Sequence, residues 1–203
     1  MTATATYLVM LGPPGSGKGT QAALLAERLG LPAVSTGDMV RAAVASGNEL
    51  GRRVERIVAA GELVDDDTMG SIVRQRLAED DVACGCILDG YPRTRPQADT
   101  LEAILEASGH RLGSVVRIDV DEAELVSRML GRGRADDSED VIRRRLRVYE
   151  ERTAPLVDYY RDRGKLLDID GNGSIEAVNG AILAALSTAV GVTAAAPVKE
   201  VEA

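Results

Sequence analysis

The 203-residue chain contains no tryptophan, no phenylalanine and only five tyrosines. Its core must therefore be assembled from Leu, Val, Ile and Ala. Histidine occurs once, as His110 in the loop-like stretch "ASGHRLG", so proton transfer through an imidazole has a single candidate, and that one reads as a surface residue. Cysteine occurs twice, at Cys84 and Cys86. Two residues apart on a strand, they would project from one face, a spacing at which a disulfide is badly strained. With one histidine they are too few for a tetrahedral zinc site. They read as small buried apolar residues in a reducing compartment. An excess of basic residues is also missing. Lys and Arg number 24 against 32 Asp and Glu, a net charge of −8, which argues against nucleic-acid or anionic-membrane partners because both need a basic surface. No apolar run approaches the roughly 20 residues that span a bilayer. The opening "MTATATYLVML" lacks the basic start of a signal peptide and leads straight into a strand-like run. A cytoplasmic protein is expected.

Hydrophobic residues make up 45% of the chain and charged residues 28%, ordinary values for one globular domain. Continuous apolar runs at 7–11, 32–35, 84–88, 115–120 and 166–169 predict strands buried on both faces. Helical periodicity lies between them. Residues 18–29 put Ala22, Leu25, Ala26 and Leu29 on one stripe, with Gly30 as the stop. Residues 38–79 hold two or three helices, broken at 46–48 and at Gly61, with no convincing strand. Further helices are expected at 102–107, 122–131 and 138–163, the last opened by the acidic cap Asp136–Asp137–Ser138. Strand alternating with helix predicts an α/β, doubly wound, five-stranded parallel sheet flanked by helices. One domain covers 1–187, and 188–203 reads as a disordered tail.

The stretch "GPPGSGKGT", residues 12–20, sits between the first strand and the first helix. Gly12, Gly15 and Gly17 allow a tight turn that aims backbone N–H groups into one concavity, at the positive end of the following helix. Lys18 supplies a point charge for the β- and γ-phosphates of a nucleotide. The usual hydroxyl after the lysine is replaced by Gly19, and Thr20 follows. Mg²⁺ must then be held mainly by phosphates and water, with Asp89, at the end of the strand-like "CILDG", in its outer shell. Arg128 and Arg132, four apart on a helix, face one way. Arg143, Arg144, Arg145 and Arg147 form a basic run in an otherwise acidic chain, for which a solvated face is the plain reading.

"GPPGSGKGTQ" resembles the nucleoside-monophosphate kinases, the adenylate kinases above all. "STGDMVR" (35–41), "LDGYPRTRPQA" (88–98) and "GRGRADD" with "RRRL" (131–146) resemble the same family in the same order. The resemblance runs from about residue 7 to about 186. It implies a P-loop core, a helical excursion over 35–79 that binds the monophosphate, and a minimal lid at 131–137. It further implies ATP contacts by Gly15, Ser16, Gly17, Lys18, Gly19, Thr20, Arg128, Arg132 and Gly173. AMP contacts would come from Thr36, Arg41, Glu62, Leu63, Val64, Gly90, Tyr91, Pro92, Arg93, Gln97, Arg134 and Arg145. Lys18, Arg93, Arg132, Arg134 and Arg145 would serve the transfer itself. Arg143, Arg144 and Arg147 match nothing catalytic and stay with the solvated reading. The implied reaction is reversible, Mg²⁺-dependent conversion of ATP and AMP into two ADP by a monomer with no structural zinc. With only Gly133 between Arg132 and Arg134, closure dominated by the AMP-side helices is expected. A UMP/CMP kinase shares the loop and the short lid, although Gln97 and Thr36 favour adenine. A binding module that has lost catalysis would lack one of the phosphate-facing cations, all of which are present.

Overall fold

The computed structural model describes residues 5–134 and 137–190. Within them, strands β1 (Thr6–Leu11), β2 (Ala33–Ser35), β3 (Gly85–Asp89), β4 (Leu112–Asp119) and β5 (Leu166–Asp170) form one sheet. The strands are parallel and lie in the order β2-β3-β1-β4-β5. Central β1 shows why its sequence is uniformly apolar. Tyr7, Val9 and Leu11 point into one core while Leu8 and Met10 point into the other, and all five are almost fully buried. A strand covered on both faces has no polar side to display.

Helices α1 (Lys18–Leu29), α6 (Glu122–Arg132), α7 (Glu139–Val148) and α9 (Ile175–Val190) supply the core on one face. Helices α2 (Thr36–Ser46), α3 (Glu49–Ala59), α4 (Asp66–Leu77), α5 (Arg95–Ala107) and α8 (Pro155–Asp162) supply the other. The first three of these are the predicted excursion. Its breaks are built by Gly47 in the left-handed region (φ 62°) and by Asn48, whose side chain accepts from Gly51 N at 2.7 Å. Asp65 caps α4 by accepting from Thr68 N at 2.8 Å. Among the described residues no helix is long and apolar enough to cross a membrane.

Several elements differ from the sequence-based expectation. Helix α5 begins at Arg95, well before residue 102, because Thr94 caps it and Pro96 is tolerated in a first turn that needs no N–H. Strand β4 starts at Leu112, and its register against β1 shifts between Tyr7 and Leu8. Cys84 lies outside β3 and is exposed, whereas Cys86 is buried and its thiol is pushed up to about 12 by desolvation. His110 is half-buried, its ring 5.3 Å from that of Tyr7, at the amino end of the sheet.

The expected long helix 138–163 is divided. A π-helical turn, Tyr149–Thr153, separates α7 from α8. Pro155 cannot donate to a preceding carbonyl, and just before it Ala154 N reaches back five residues to Tyr149 O at 2.9 Å. At this turn the chain changes sides: Ile142 and Leu146 belong to one core, Leu156 and Tyr160 to the other. Helix α9 continues through Val190, past the expected end at 187. Asp136 and residues 191–203, most of the predicted tail, lie outside the described residues.

Helices α2 and α3 approach so closely that a Cβ on Gly51 would stand 2.0 Å from Ala43 O, whereas one on Gly180 in α9 would meet nothing. Gly51→Ala should therefore destabilise the protein by about 1–3 kcal/mol. Gly180→Ala should stabilise it by about 0.5–1 kcal/mol. Chemical denaturation of the two variants beside the parent checks both signs.

Candidate active site

The segment joining β1 to α1 lies beside the switch point of the sheet, where neighbouring connections leave in opposite directions. Two of its glycines are required twice over. Gly12 (φ 141°) and Gly15 (φ 87°) adopt conformations that disfavour a side chain, and a Cβ would stand 2.6 Å from Ile118 O or 2.9 Å from Leu125 O. The loop is thus pressed against the end of β4 and against α6. Lys18 Nζ donates to Pro13 O at 2.7 Å and to Ser16 Oγ at 3.4 Å. Burial lowers its pKa to about 8, against the pull of Asp89, with Arg93, Arg145 and Arg132 adding repulsion. A Cβ on Gly19 would lie 3.3 Å from Asp89 Oδ2. The place where a hydroxyl usually stands is therefore backed by a carboxylate from β3.

A cavity of about 1000 Å³ opens above the carboxyl ends of the strands. Because β3 and β2 lie to one side of β1, the residues following them, including Thr36, Arg41, Gly90, Pro92, Arg93 and Gln97, line that side, joined by Glu62, Leu63 and Val64. On the β4–β5 side the lining includes Arg128, Gly173 and Ile175. The loop residues Gly15, Ser16, Gly17, Lys18, Gly19 and Thr20 form the floor, with Asp89. Arg132, Arg134 and Arg145 complete the wall. Tyr91 is the one predicted site residue whose side chain the structure does not bring here. It is 1% exposed and packs in the core, as strand-like alternation after β3 sends it away from the cavity.

The arginines are held by acceptors of the protein itself. Asp137, with its side chain 1% exposed, receives Arg132 at both oxygens (2.7 and 2.8 Å), Arg145 Nη1 at 3.1 Å and Arg134 N at 3.2 Å. Burial works against ionisation of this carboxyl, but Arg132 and Arg145 together with the Arg134 N–H hold it below the usual carboxylate range. Asp137 is therefore turned inward to organise arginines and does not cap α7. Ser138 holds the cap position with no side-chain bond.

Arg93 is gripped along its whole length. Its N–H donates to Gln97 Oε1 at 2.8 Å, its carbonyl accepts from Thr153 Oγ1 at 2.8 Å, and its Nε donates to Gly90 O at 2.8 Å. Desolvation lowers its pKa, yet a guanidinium starts so high that it stays charged. Gly90 (φ 81°) has no room for a side chain, since a Cβ would stand 2.9 Å from Arg93 Nη2 and 3.0 Å from Thr36 Oγ1. Arg41 pairs with Asp38 at 2.5 Å, and Arg128 donates to Glu124 at 2.8 Å and to Gly171 O at 3.1 Å. Arg144 is exposed, in keeping with the expected solvated reading, and also makes a contact beyond its own helix. Its Nε donates to Glu62 at 2.6 Å, tying α7 to the segment between α3 and α4. There Gly61 also packs on Val141 and Arg145. Arg143 pairs with Glu139 on its own helix, as a surface residue does.

A family model described as "Adenylate kinase" matches residues 10–165 of this chain. The chain belongs to the adenylate kinase family. A protein of Kocuria rhizophila named "Adenylate kinase" is 53% identical over 185 residues, covering 89% of this chain and 98% of its own length. Proteins of the same name from Stenotrophomonas maltophilia and Corynebacterium urealyticum are 49% and 50% identical over 88% of this chain and 98% of theirs.

In this member of the adenylate kinase family, three residues important to the site were not visible as such in the sequence. Asp137 hid in an apparent cap, Thr153 in a helical pattern, and Asp66, whose Oδ1 accepts from Gln97 Nε2 and Thr94 Oγ1 at 2.8 Å each, in the acidic row 65–67. A clue for Asp137 existed in its distance of five from Arg132 and eight from Arg145, which suits a shared partner only once the chain turns between α6 and α7.

Two outcomes are expected of this arrangement. Lys18, with its folded pKa near 8, should regain a full charge beside incoming phosphates. Nucleotide binding at pH 8.5 should thus take up about half a proton or more, read by calorimetry in buffers of different ionisation enthalpy, and Lys18→Arg should abolish that uptake. In the free protein the sign is the same: the unfolded chain binds the extra proton between pH 8 and 10.5, so this group's contribution to stability rises with pH across that window. Separately, Asp137→Ala should lower kcat by roughly 10–100-fold by releasing two arginines from their common anchor, with a smaller change in KM for either substrate.

Proposed function

We propose that this chain transfers the γ-phosphoryl group of ATP reversibly to AMP, giving two ADP. The observation that carries the reading is the continuity of one cavity from the phosphate loop to Arg41 and Arg93, with Arg132, Arg134 and Arg145 also on its wall. Seven basic side chains and three carboxylates line it, a balance that suits the phosphates of two nucleotides brought together. The ATP phosphates would rest on the loop N–H groups and Lys18. The AMP phosphate would rest on Arg41 and Arg93.

An oxygen of the AMP phosphate attacks the γ-phosphorus, a new P–O bond forms, and the bond to the β,γ-bridging oxygen breaks with its electrons passing to ADP. That attacking oxygen is already ionised near pH 7, so no general base is required. Catalysis then consists of alignment and neutralisation of the equatorial oxygens, which fits a site rich in arginine and without histidine.

Mg²⁺ would enter with the phosphates of ATP. Among the described residues no three His, Cys, Asp or Glu side chains gather into a metal-holding group. Asp89 beside Gly19 is the carboxylate at the loop, which suits an ion that keeps much of its own water. When bound, such an ion would neutralise part of the phosphate charge. A cavity complete within one chain supports action as a monomer. The two cysteines, left unbridged, fit a reducing cytoplasm. With only Gly133 between Arg132 and Arg134, little chain is available to close over the donor side, which supports the acceptor-side helices as the part that closes over the substrates.

The test is a coupled assay of ADP formation from ATP with AMP, CMP and UMP as acceptors. AMP should be turned over fastest, and Arg93→Ala should lower that rate by about 10²–10³-fold. Faster turnover of CMP or UMP would overturn the choice of acceptor. An unaffected Arg93→Ala would overturn the site.

A further inference from the structure

Gln97 lines the cavity on the acceptor side, and the residue is 2% exposed. A carboxamide can be turned either way about its last bond, and which end a ligand meets depends on what fixes it. Here both ends are fixed. Gln97 Oε1 accepts from Arg93 N at 2.8 Å, and a backbone N–H can only donate. Gln97 Nε2 donates to Asp66 Oδ1 at 2.8 Å, and an ionised carboxylate can only accept. Thr94 closes the circuit. Its hydroxyl donates to the same Asp66 oxygen at 2.8 Å and accepts from Gln97 N at 3.3 Å. A half-turn of the carboxamide would set oxygen against carboxylate and N–H against N–H, replacing two bonds by two repulsions.

Asp66 itself does not line the cavity. It is the first residue of α4, in the acceptor-side excursion, while Gln97 sits on α5 of the central domain. We infer that Asp66 is a specificity-determining positioning residue: it locks the orientation of Gln97 and so sets the donor–acceptor polarity that the cavity shows to the acceptor base. The inference rests on the proposed function and deepens it. With one N–H bound to Asp66 and one lone pair bound to Arg93, Gln97 has one N–H and one lone pair left for a ligand. Adenine offers the complement on its Watson–Crick edge, a ring-nitrogen acceptor beside an exocyclic amino donor. Hypoxanthine has the same outline with that pair reversed, a ring N–H beside a carbonyl. A fixed carboxamide accepts the first and leaves both of its groups opposed by the second, whereas a carboxamide free to turn could serve either.

The experiment compares AMP with inosine monophosphate at saturating ATP and Mg²⁺. Inosine monophosphate is followed as an acceptor and, where its turnover is slow, as a competitive inhibitor. The parent, Asp66→Ala and Asp66→Asn are assayed, and thermal unfolding of each is recorded. Asp66→Ala should lower the ratio of kcat/KM for AMP to that for inosine monophosphate by about tenfold or more, since a buried polar pair left unmatched costs that much. The change should come through a raised KM for AMP, with kcat within about twofold of the parent. Asp66→Asn keeps an accepting oxygen, and its ratio should stay within about threefold of the parent. Should Asp66→Ala fail to fold, Asp66→Ser, too short to reach Gln97, takes its place with the same expectation.

Three results would overturn the inference. The first is a ratio unchanged in Asp66→Ala. The second is an equal loss with both acceptors accompanied by lower thermal stability, the mark of a structural role alone. The third is an Asp66→Asn enzyme that discriminates as poorly as Asp66→Ala. A parent enzyme inactive with AMP would overturn the proposed function and this inference together. A parent active with AMP beside an unchanged Asp66→Ala ratio would overturn this inference alone.

Discussion

Seven cationic side chains facing one cleft repel one another, and much of this molecule is arranged to keep them there. Lys18 leans on the Pro13 carbonyl, Arg93 on that of Gly90, and Arg128 on that of Gly171. Arg132 and Arg145 share Asp137. The three carbonyls are placed by the sheet, since Pro13, Gly90 and Gly171 follow the carboxyl ends of β1, β3 and β5, whereas Asp137 is placed by the turn between α6 and α7. The concentration of positive charge is local, because the chain as a whole carries −8. An acidic exterior around a basic cleft repels polyanions everywhere except where they are to bind.

The same interactions explain what a side chain contributes beyond its charge. An arginine that is free to swing is a poor electrostatic partner, since alignment must then be established anew at each encounter. Arg93 is held through its backbone at both ends as well as at its guanidinium, by residues from α5 and from the π-helical turn. Such support cannot be supplied by one local motif. It requires segments distant in sequence to arrive at the same place, and the two hydrophobic cores secure that arrival.

Much of this was legible beforehand, for identifiable reasons. Strands buried on both faces leave continuous apolar runs, and the phosphate loop carries glycines at positions where the backbone admits little else. The arginines around the cavity could be placed from motifs that keep their order. Less visible were contacts whose meaning depends on helix phase and on the third dimension. Asp65, Asp66 and Asp67 look alike in sequence, yet the first caps α4 and the second holds Thr94 and Gln97. Tyr91 sits among cavity-lining neighbours but turns into the core. Cys84 and Cys86 look equivalent, and the strand begins between them. The division of 138–163 escaped periodicity altogether, because residues 142, 146, 149, 153 and 156 are spaced as an unbroken helix would space them.

That division has a mechanical meaning. Each turn of a regular helix advances by 3.6 residues, and a wider turn rotates everything after it. The rotation at Tyr149–Thr153 lets one covalent segment present Arg145 from one side of the sheet and Thr153 to Arg93 from near the other. Arg145 and the support of Arg93 are thus gauged against each other along a short stretch of backbone, with bond lengths as the scale. A spacing set in this way does not drift when the surrounding helices shift.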